Sequence, residues 1–323
     1  MFKNPTTKSS KLLWAVPFSI CLVSANSNAL GGELNYDIYG NAHVSLNSQD
    51  STDNADITSN TSSFGVKGGK KLSDDNNLEV IFKMEWQVNI AEREKNITDR
   101  DQWIGFKGDF GKLIIGTTSS NYKQKGGKVD PMYRTQLEAR SAFSRTQSRT
   151  LHAGAGIDRG RMTNAIQYTT PKFNGFEVVA NTTVSGSDDE SSGLGVRHST
   201  KKSLFYVDFI TDGDTGSGDS ESAVKVGGFY KFGKFKLSGQ FEQSEDIDGS
   251  DYWFLGGTYK VSKNGTLKFS AGGADGARES STVAAMYDHK LGGKTNIYAG
   301  FGSRSDDVAD YDDIVTVGVR YKF

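Results

Sequence analysis

The chain has 323 residues, with 38 Lys and Arg against 39 Asp and Glu, and a formal net charge of −1. That balance offers no global basic excess, so no nucleic-acid partner is expected. Glycine is abundant at 38, proline scarce at 4, and aromatics make up 11% of the chain, which points toward β structure.

The first segment sets the compartment. Lys3, Lys8 and Lys11 precede an apolar stretch, Leu12 to Val23, followed by the small polar run Ser24 to Ala29. This is the layout of a secretory signal peptide over 1–29, with cleavage expected after Ala29 or, alternatively, after Ala25. The stretch is short for a spanning helix, which needs about 20 apolar residues. A lipoprotein on Cys21 is disfavoured because Ile20 precedes it. Loss of the three lysines takes the net charge from −1 to −4 and removes the only cysteine. The remaining 30–323 must hold together without disulfides.

From residue 34 onward the apolar residues recur every second position. Leu34, Tyr36, Ile38, Gly40, Ala42, Val44 and Leu46 alternate with Asn35, Asp37, Tyr39, Asn41, His43 and Ser45. Leu78 to Ile90 and Ile314 to Phe323 repeat the pattern. A period of two means strands with one apolar and one polar face. These strands are long, against about 5–6 residues in globular proteins. Their polar faces carry mid-strand charge, as at Lys83 and Glu85, and their apolar faces end in aromatics such as Trp86, Tyr230, Phe232, Tyr321 and Phe323. A wet interior and an interfacial girdle account for both features.

Short turns, such as 73–77, 109–111, 171–174, 233, 262–265 and 292–293, interleave with longer polar stretches at 47–60, 91–99, 187–192, 211–221, 244–250 and 303–312. The pattern predicts an all-β, 16-stranded antiparallel transmembrane β-barrel. The strands are expected near 33–46, 62–72, 78–90, 100–108, 112–120, 161–170, 174–186, 193–200, 203–211, 222–232, 234–243, 251–261, 265–273, 281–291, 294–303 and 313–323. The strand near 193–200 has the weakest pattern and is required by topology.

The third connection, 119–160, is by far the longest, and a structureless loop of that length is suspect unless functional. It is expected to fold inward as a constriction. Its middle, Thr135 to Thr150, has no Gly or Pro and is compatible with a short helix. Its candidate constriction residues are Asp130, Arg134, Glu138, Arg140, Arg145, Arg149 and Asp158. With Lys123, Lys125, Lys128 and Arg159, eight cations face three acids, a local +5. Inward parity offers Lys67, Lys83, Glu85, Lys107, Arg161 and Arg320 as the pore wall, although parity is ambiguous where Trp103 and Ile104 adjoin. Acids gather instead in outer loops, at Asp188, Asp189 and Glu190, at Asp212, Asp214 and Asp219, and at Asp306, Asp307, Asp310, Asp312 and Asp313. A ring of charge in a narrow passage biases which ions enter. Weak anion preference, or none, is expected rather than strong cation preference.

Catalytic and metal chemistry find little support. His43 and Ser45 share a strand face as a nucleophile and base could, but parity points them to the lumen. His152, His198 and His289 lack metal-ligand spacing. Asp246, Asp248 and Asp251 lack the rest of a calcium loop. No cofactor or metal is expected, and the chain reads as a channel, not an enzyme. The rival readings are an outer-membrane enzyme of the phospholipase type and a soluble secreted β-rich binding protein such as a lectin.

Four segments resemble the general porins of Gram-negative outer membranes. Asp101 to Gly116 (DQWIGFKGDFGKLIIG) resembles a strand–turn–strand of that family. Arg161 to Phe176 (RMTNAIQYTTPKFNGF) resembles the strand after its third loop. Tyr287 to Gly300 (YDHKLGGKTNIYAG) and Val315 to Phe323 (VTVGVRYKF) resemble its last three strands. The resemblance implies a homotrimer of barrels narrowed by loop three, set in outer-membrane lipid and lipopolysaccharide. Such a trimer passes ions and small hydrophilic solutes. It also makes the terminal Phe323 an assembly signal. Where many members carry Arg after the glycine matching Gly116, this chain has Thr117.

Overall fold

The computed structural model describes residues 34–52, 54–93, 97–153, 160–184, 191–212, 221–277, 279–307 and 311–323. The expected leader, 1–29, lies outside these residues. So do Asp158, Arg159, Asp188, Asp189, Glu190, Asp214, Asp219 and Asp310.

The alternating segments form strands β1 (Asn35–Gln49), β2 (Asp56–Ser59), β3 (Ser63–Lys71), β4 (Glu79–Val88), β5 (Ile97–Gly108) and β6 (Gly111–Ser119). The third connection, here L3, holds helices α1 (Asn121–Val129) and α2 (Arg149–Ala153). Then come β7 (Arg161–Thr169), β8 (Phe176–Thr183), β9 (Ser192–Ser199), β10 (Ser203–Asp212), β11 (Glu221–Phe232) and β12 (Phe235–Gln243). A short helix α3 (Glu245–Asp248) precedes β13 (Ser250–Lys260), β14 (Gly265–Gly276), β15 (Ser280–Gly292), β16 (Thr295–Asp306) and β17 (Asp312–Lys322).

Apart from β2, which pairs with β1 and not with β3, each strand pairs antiparallel with the next, and β17 pairs back onto β1 from Asn41↔Lys322 to Gln49↔Ile314. The wall is therefore closed, which removes sheet edges and lets backbone polar groups find partners within lipid. Both β2 and β3 ladder onto β1. They are one spanning strand broken at Thr61, whose φ is 56°. The count is thus sixteen spanning strands, as the sequence predicts. The weakly patterned strand is present as β9, laddered to β8 and β10.

Parity places the apolar face outward. Ile38, Leu255, Ile104 and Val317 are 64%, 59%, 59% and 53% exposed. So large a belt of exposed apolar side chains suits lipid and not water. At the short-turn end an aromatic girdle runs through Phe232 and Phe235 (ring centroids 5.5 Å apart), Tyr259, Tyr321 and Phe323. Phe323 closes the wall: Gly40 N donates to its carbonyl and Phe323 N donates to the Gly40 carbonyl. Its ring lies where a Gly40 side chain would be.

Two irregularities re-aim side chains. Across β4 and β5, Met84 pairs with Gln102 but Trp86 with Asp99. Arg100 and Asp101 therefore both oppose Glu85, and this bulge resolves the parity ambiguity near Trp103. Ile97 and Ile104 can then both face outward although seven positions apart, with exposures of 58% and 59%. A second shift lies between Gly116 and Thr118 against β7, where Asn164 takes φ 48°.

L3 departs from the expected helix position. Thr135 to Ser148 folds as successive turns, and the helices lie on either side of it. The cause is Asp130. Its carboxylate accepts from Met132 N at 2.8 Å and Ala139 N at 2.9 Å, satisfying amides that a helix would have used. Arg134 and Arg145 sit at φ 65° and 49°, which a helix excludes.

Candidate functional site

L3 leaves β6 through Ser120, whose Oγ accepts from Lys123 N and caps α1. Gly126 within α1 costs helix propensity, but the His152 imidazole packs where its Cβ would lie. L3 then runs along the inside of the wall. Tyr122 and Leu151 pack on Ile210 and Ala223. Val129 and Ala139 pack on Leu204, Tyr206 and Phe254. Met132, Leu137 and Phe143 pack on Ala284, Met286, Tyr298 and Ile314. All these wall residues have inward parity, so the loop folds into the barrel and fills one side of it.

A dry ionic seam fixes the first part of L3. Asp208 accepts from Asn121 Nδ2 at 3.2 Å and lies 3.4 Å from Arg197 and 3.9 Å from Lys225. Arg197 donates to the Asn121 carbonyl at 3.0 Å and to Gln124 at 2.8 Å. Lys225 donates to the Tyr122 carbonyl. Asp208, Lys225, Glu242 and His152 are all fully buried. Burial, with Lys225 and Arg140 nearby, holds the His152 pKa well below its usual value. Its Nε2 lies 3.1 Å from Glu242, a hydrogen bond whose direction follows the tautomer. The His152 carbonyl in turn accepts from Arg140 at 2.9 Å and from Lys123.

Across the lumen the wall is charged and wetter. Glu85 accepts from Arg100 at 2.5 Å and Tyr39 at 2.8 Å, with Lys83 at 3.3 Å. Asp101 accepts from Lys83 at 2.8 Å and Arg161 at 2.9 Å. Three cations thus share two carboxylates. On the adjoining arc Lys268 meets Asp288 at 2.9 Å, and His43 Nε2 lies 2.8 Å from the Tyr298 hydroxyl. Arg320, opposite His43 in the ladder, has no carboxylate partner among the described residues.

The L3 tip projects between these walls. Glu138 accepts from Arg134 N at 2.7 Å and Arg140 Nε at 3.2 Å. The Arg140 guanidinium lies 4.7 Å from the Tyr133 ring centroid. Arg134 has no carboxylate partner for its side chain among the described residues. It stands within electrostatic reach of both Arg100 and Arg320. Gln136 donates to Asn60 at 2.9 Å, linking the tip to the far wall.

The structure therefore brings Arg134, Glu138, Arg140, Lys83, Glu85, Arg161 and Arg320 into one lumen region. Asp130 lies beneath it as the organiser of the turn. Burial and Glu138 raise its pKa to about 7. Arg145 turns back to the Ala142 carbonyl at 2.9 Å, and Arg149 is exposed at the start of α2. Lys67 and Lys107 lie nearer the short turns, beside Asp37 at 3.9 Å and Glu79 at 2.9 Å. Sequence reasoning missed Arg100 and Asp101, although the spacing of Ile97 and Ile104 signals a break in parity between them. It also missed the Arg197–Asp208–Lys225–Glu242 seam, whose inward parity was legible but whose burial beneath L3 was not.

The Gram-negative porin family model matches residues 18–309. Among relatives, the major outer membrane protein P.IB of Neisseria sicca is 30% identical over 138 residues, 43% of this chain. The matched stretch spans 35% of that relative's length. Among solved structures, an anion-selective porin from Comamonas acidovorans superposes with a TM-score of 0.76. Its identity is 20%, and the match covers 90% of this chain and 100% of that one. OmpT of Vibrio cholerae, in its trimer form, gives 0.66 at 16% identity, covering 90% and 100%.

Proposed function

Since the chain belongs to the Gram-negative porin family, we propose that it is a passive diffusion channel of the outer membrane, open to ions and small hydrophilic solutes. It does no covalent chemistry. L3 narrows the lumen by lying on the β9–β17 side, so solutes pass between its tip and the wall of β1, β3–β5 and β17. Arg134, Glu138 and Arg140 line one side of this waist. Lys83, Glu85, Arg100, Asp101, Arg161 and Arg320 line the other. The channel works as a homotrimer in lipid and lipopolysaccharide, and Phe323 is its assembly signal.

Selectivity follows from the waist. Exposed loop acids are screened beyond about 8 Å at physiological salt, so they count less than charges in the narrow passage. There Glu85 and Asp101 are each shared among cations and Glu138 is paired with Arg140, while Arg134 and Arg320 keep their charge for the pore. Weak anion preference is the outcome. At 20% identity the Comamonas structure supports the fold alone, so this reading rests on the charges of this chain.

The observation that carries the proposal is L3, sealed to the inner wall by its apolar face with unneutralised arginines at its open side. The experiment is the reversal potential of reconstituted trimers in a KCl gradient. Chloride should be the favoured ion, and Arg134→Gln with Arg320→Gln should move the potential toward the cation side. A strongly cation-selective wild type, unmoved by the pair, would remove both arginines from the waist.

A further inference from the structure

The inner half of the lumen, at the short-turn end, carries cations that the waist does not use. Lys231 and Lys236 stand directly opposite each other in the ladder between β11 and β12. Lys236 is in turn opposite Thr258, and Thr258 opposite Lys268. Three inward lysines therefore occupy one row across four adjacent strands. Directly opposed side chains have Cβ atoms about 4.5–5.5 Å apart, and like charges so placed repel. Lys128 of L3 lies over the same row, where its carbonyl accepts from Lys236 Nζ at 2.7 Å. The ammonium groups of Lys231 and Lys236 both sit by one ring, 5.2 and 4.5 Å from the Phe229 centroid.

Of these four lysines only Lys268 has a carboxylate partner among the described residues, Asp288. Elsewhere on the wall most lumen cations have acids, Arg320 excepted: Glu85 and Asp101 serve Lys83, Arg100 and Arg161, and Asp208 serves Arg197 and Lys225. The basin thus gathers lysines with one carboxylate among them, Lys236 being held by the Lys128 carbonyl. Lysine ammonium groups bind phosphate as point charges with rotatable donors, so such a basin suits a ligand that brings several anionic oxygens at once. A single chloride would relieve one ammonium and leave the row repulsive.

We propose that Lys128, Lys231 and Lys236 form an inner-mouth binding site for multivalent oxyanions, small solutes bearing two or more phosphate or carboxylate groups. The proposal rests on the diffusion-channel reading and names a solute class for it. Held at the basin, such an anion sits below the waist and lowers the chloride current through it.

The test is chloride current through reconstituted trimers with inorganic tripolyphosphate added to one side and then the other. Orientation is assigned by the side from which a membrane-impermeant thiol reagent reaches Thr52→Cys, in the loop after β1. Block should be stronger from the short-turn side. In Lys231→Gln/Lys236→Gln the half-blocking concentration should rise on the order of tenfold, which is what two exposed charge contacts supply. Citrate blocking as well as tripolyphosphate assigns the site to oxyanions at large, and tripolyphosphate alone to phosphates. Equal block from both sides, or block unchanged in the double variant, overturns the site while leaving the channel reading intact. Absence of stepwise conductance in the wild type would instead overturn the channel reading.

Discussion

The two sides of the lumen carry the same residue types on the same inward parity, yet they do different work. Beneath L3, Arg197, Asp208, Lys225 and Glu242 are dry and are spent on loop groups: the Asn121 and Tyr122 carbonyls, Gln124 and His152. Facing L3, Lys83, Glu85, Asp101 and Arg161 form a wetter mesh that bonds within the wall itself. The difference is what covers them. A charge covered by protein must be matched or it costs several kcal/mol, so it becomes a clamp. A charge left facing water keeps its field for passing ions.

The sharpest way to break this comparison is to remove one acid from the dry seam and one from an exposed wall pair nearer the short turns. Asp208→Ala leaves Lys225 buried without its carboxylate, and Arg197 with Glu177 alone at 3.8 Å, and should cost roughly 3–5 kcal/mol of loop anchoring. Glu79→Ala, beside half-exposed Lys107, should cost about 0–1 kcal/mol. Limited proteolysis of folded trimers should nick L3 in the first variant and spare it in the second. Equal resistance would mean that the seam does not hold the loop.

Parity itself is tested next. Val317→Arg puts charge on the lipid face and should cost about 2–4 kcal/mol when it lies near mid-membrane, while Gln87→Arg, on the lumen side, should cost far less. Yield of heat-modifiable trimer reports the difference, and assembly equal to Gln87→Arg would mean that Val317 does not face lipid. A smaller effect is expected at the seam of the barrel. Gly40→Val displaces the Phe323 ring and should lower trimer yield in the same direction as deletion of Phe323, by about 1 kcal/mol of lost ring burial. If the deletion lowers yield and the valine does not, recognition of the terminus rather than its packing is what matters.

A further effect is pH-dependent and belongs to L3 alone. Asp130 in the packed loop has its pKa raised to about 7 from an ordinary 3.8, burial being the main cause. The packed loop then holds a proton that the released loop gives up. Packing is favoured in acid, weakens as pH rises from about 4 to about 7, and stays level above that. Open-channel current noise should increase across that window in the wild type. In Asp130→Asn it should be independent of pH, and at low pH it should exceed that of the wild type because one amide bond from Met132 or Ala139 is lost. A wild type with flat noise would show that Asp130 stays ionised.

The barrel was legible because period-two alternation is local. Leu34 to Leu46 and Val315 to Phe323 state their faces without knowledge of any neighbour, and even β9 followed from the need to end on the correct side. The bulge at Arg100 and Asp101 was half legible, as a clash of parity without a position. L3 was legible in length and charge but not in form. Its helix lies at Asn121–Val129, with two glycines that argue against it, because His152 and Tyr133 need the space. The stretch without Gly or Pro is not helical, because Asp130 bonds across nine residues to Ala139. Such pairings depend on tertiary contact, and so does the distinction between clamp and field.

The claim on which the rest depends is that L3 turns Leu137 to the wall and Arg134 to the pore. Leu137 is 1% exposed against Met286 and Tyr298, whereas Arg134 is partly open. The sequence has no cysteine beyond Cys21, so single cysteines report cleanly. A membrane-impermeant thiol reagent applied to open channels should quickly reduce the current of Arg134→Cys and leave Leu137→Cys unchanged. Reaction at both positions at similar rates, or at Leu137→Cys alone, would contradict the account.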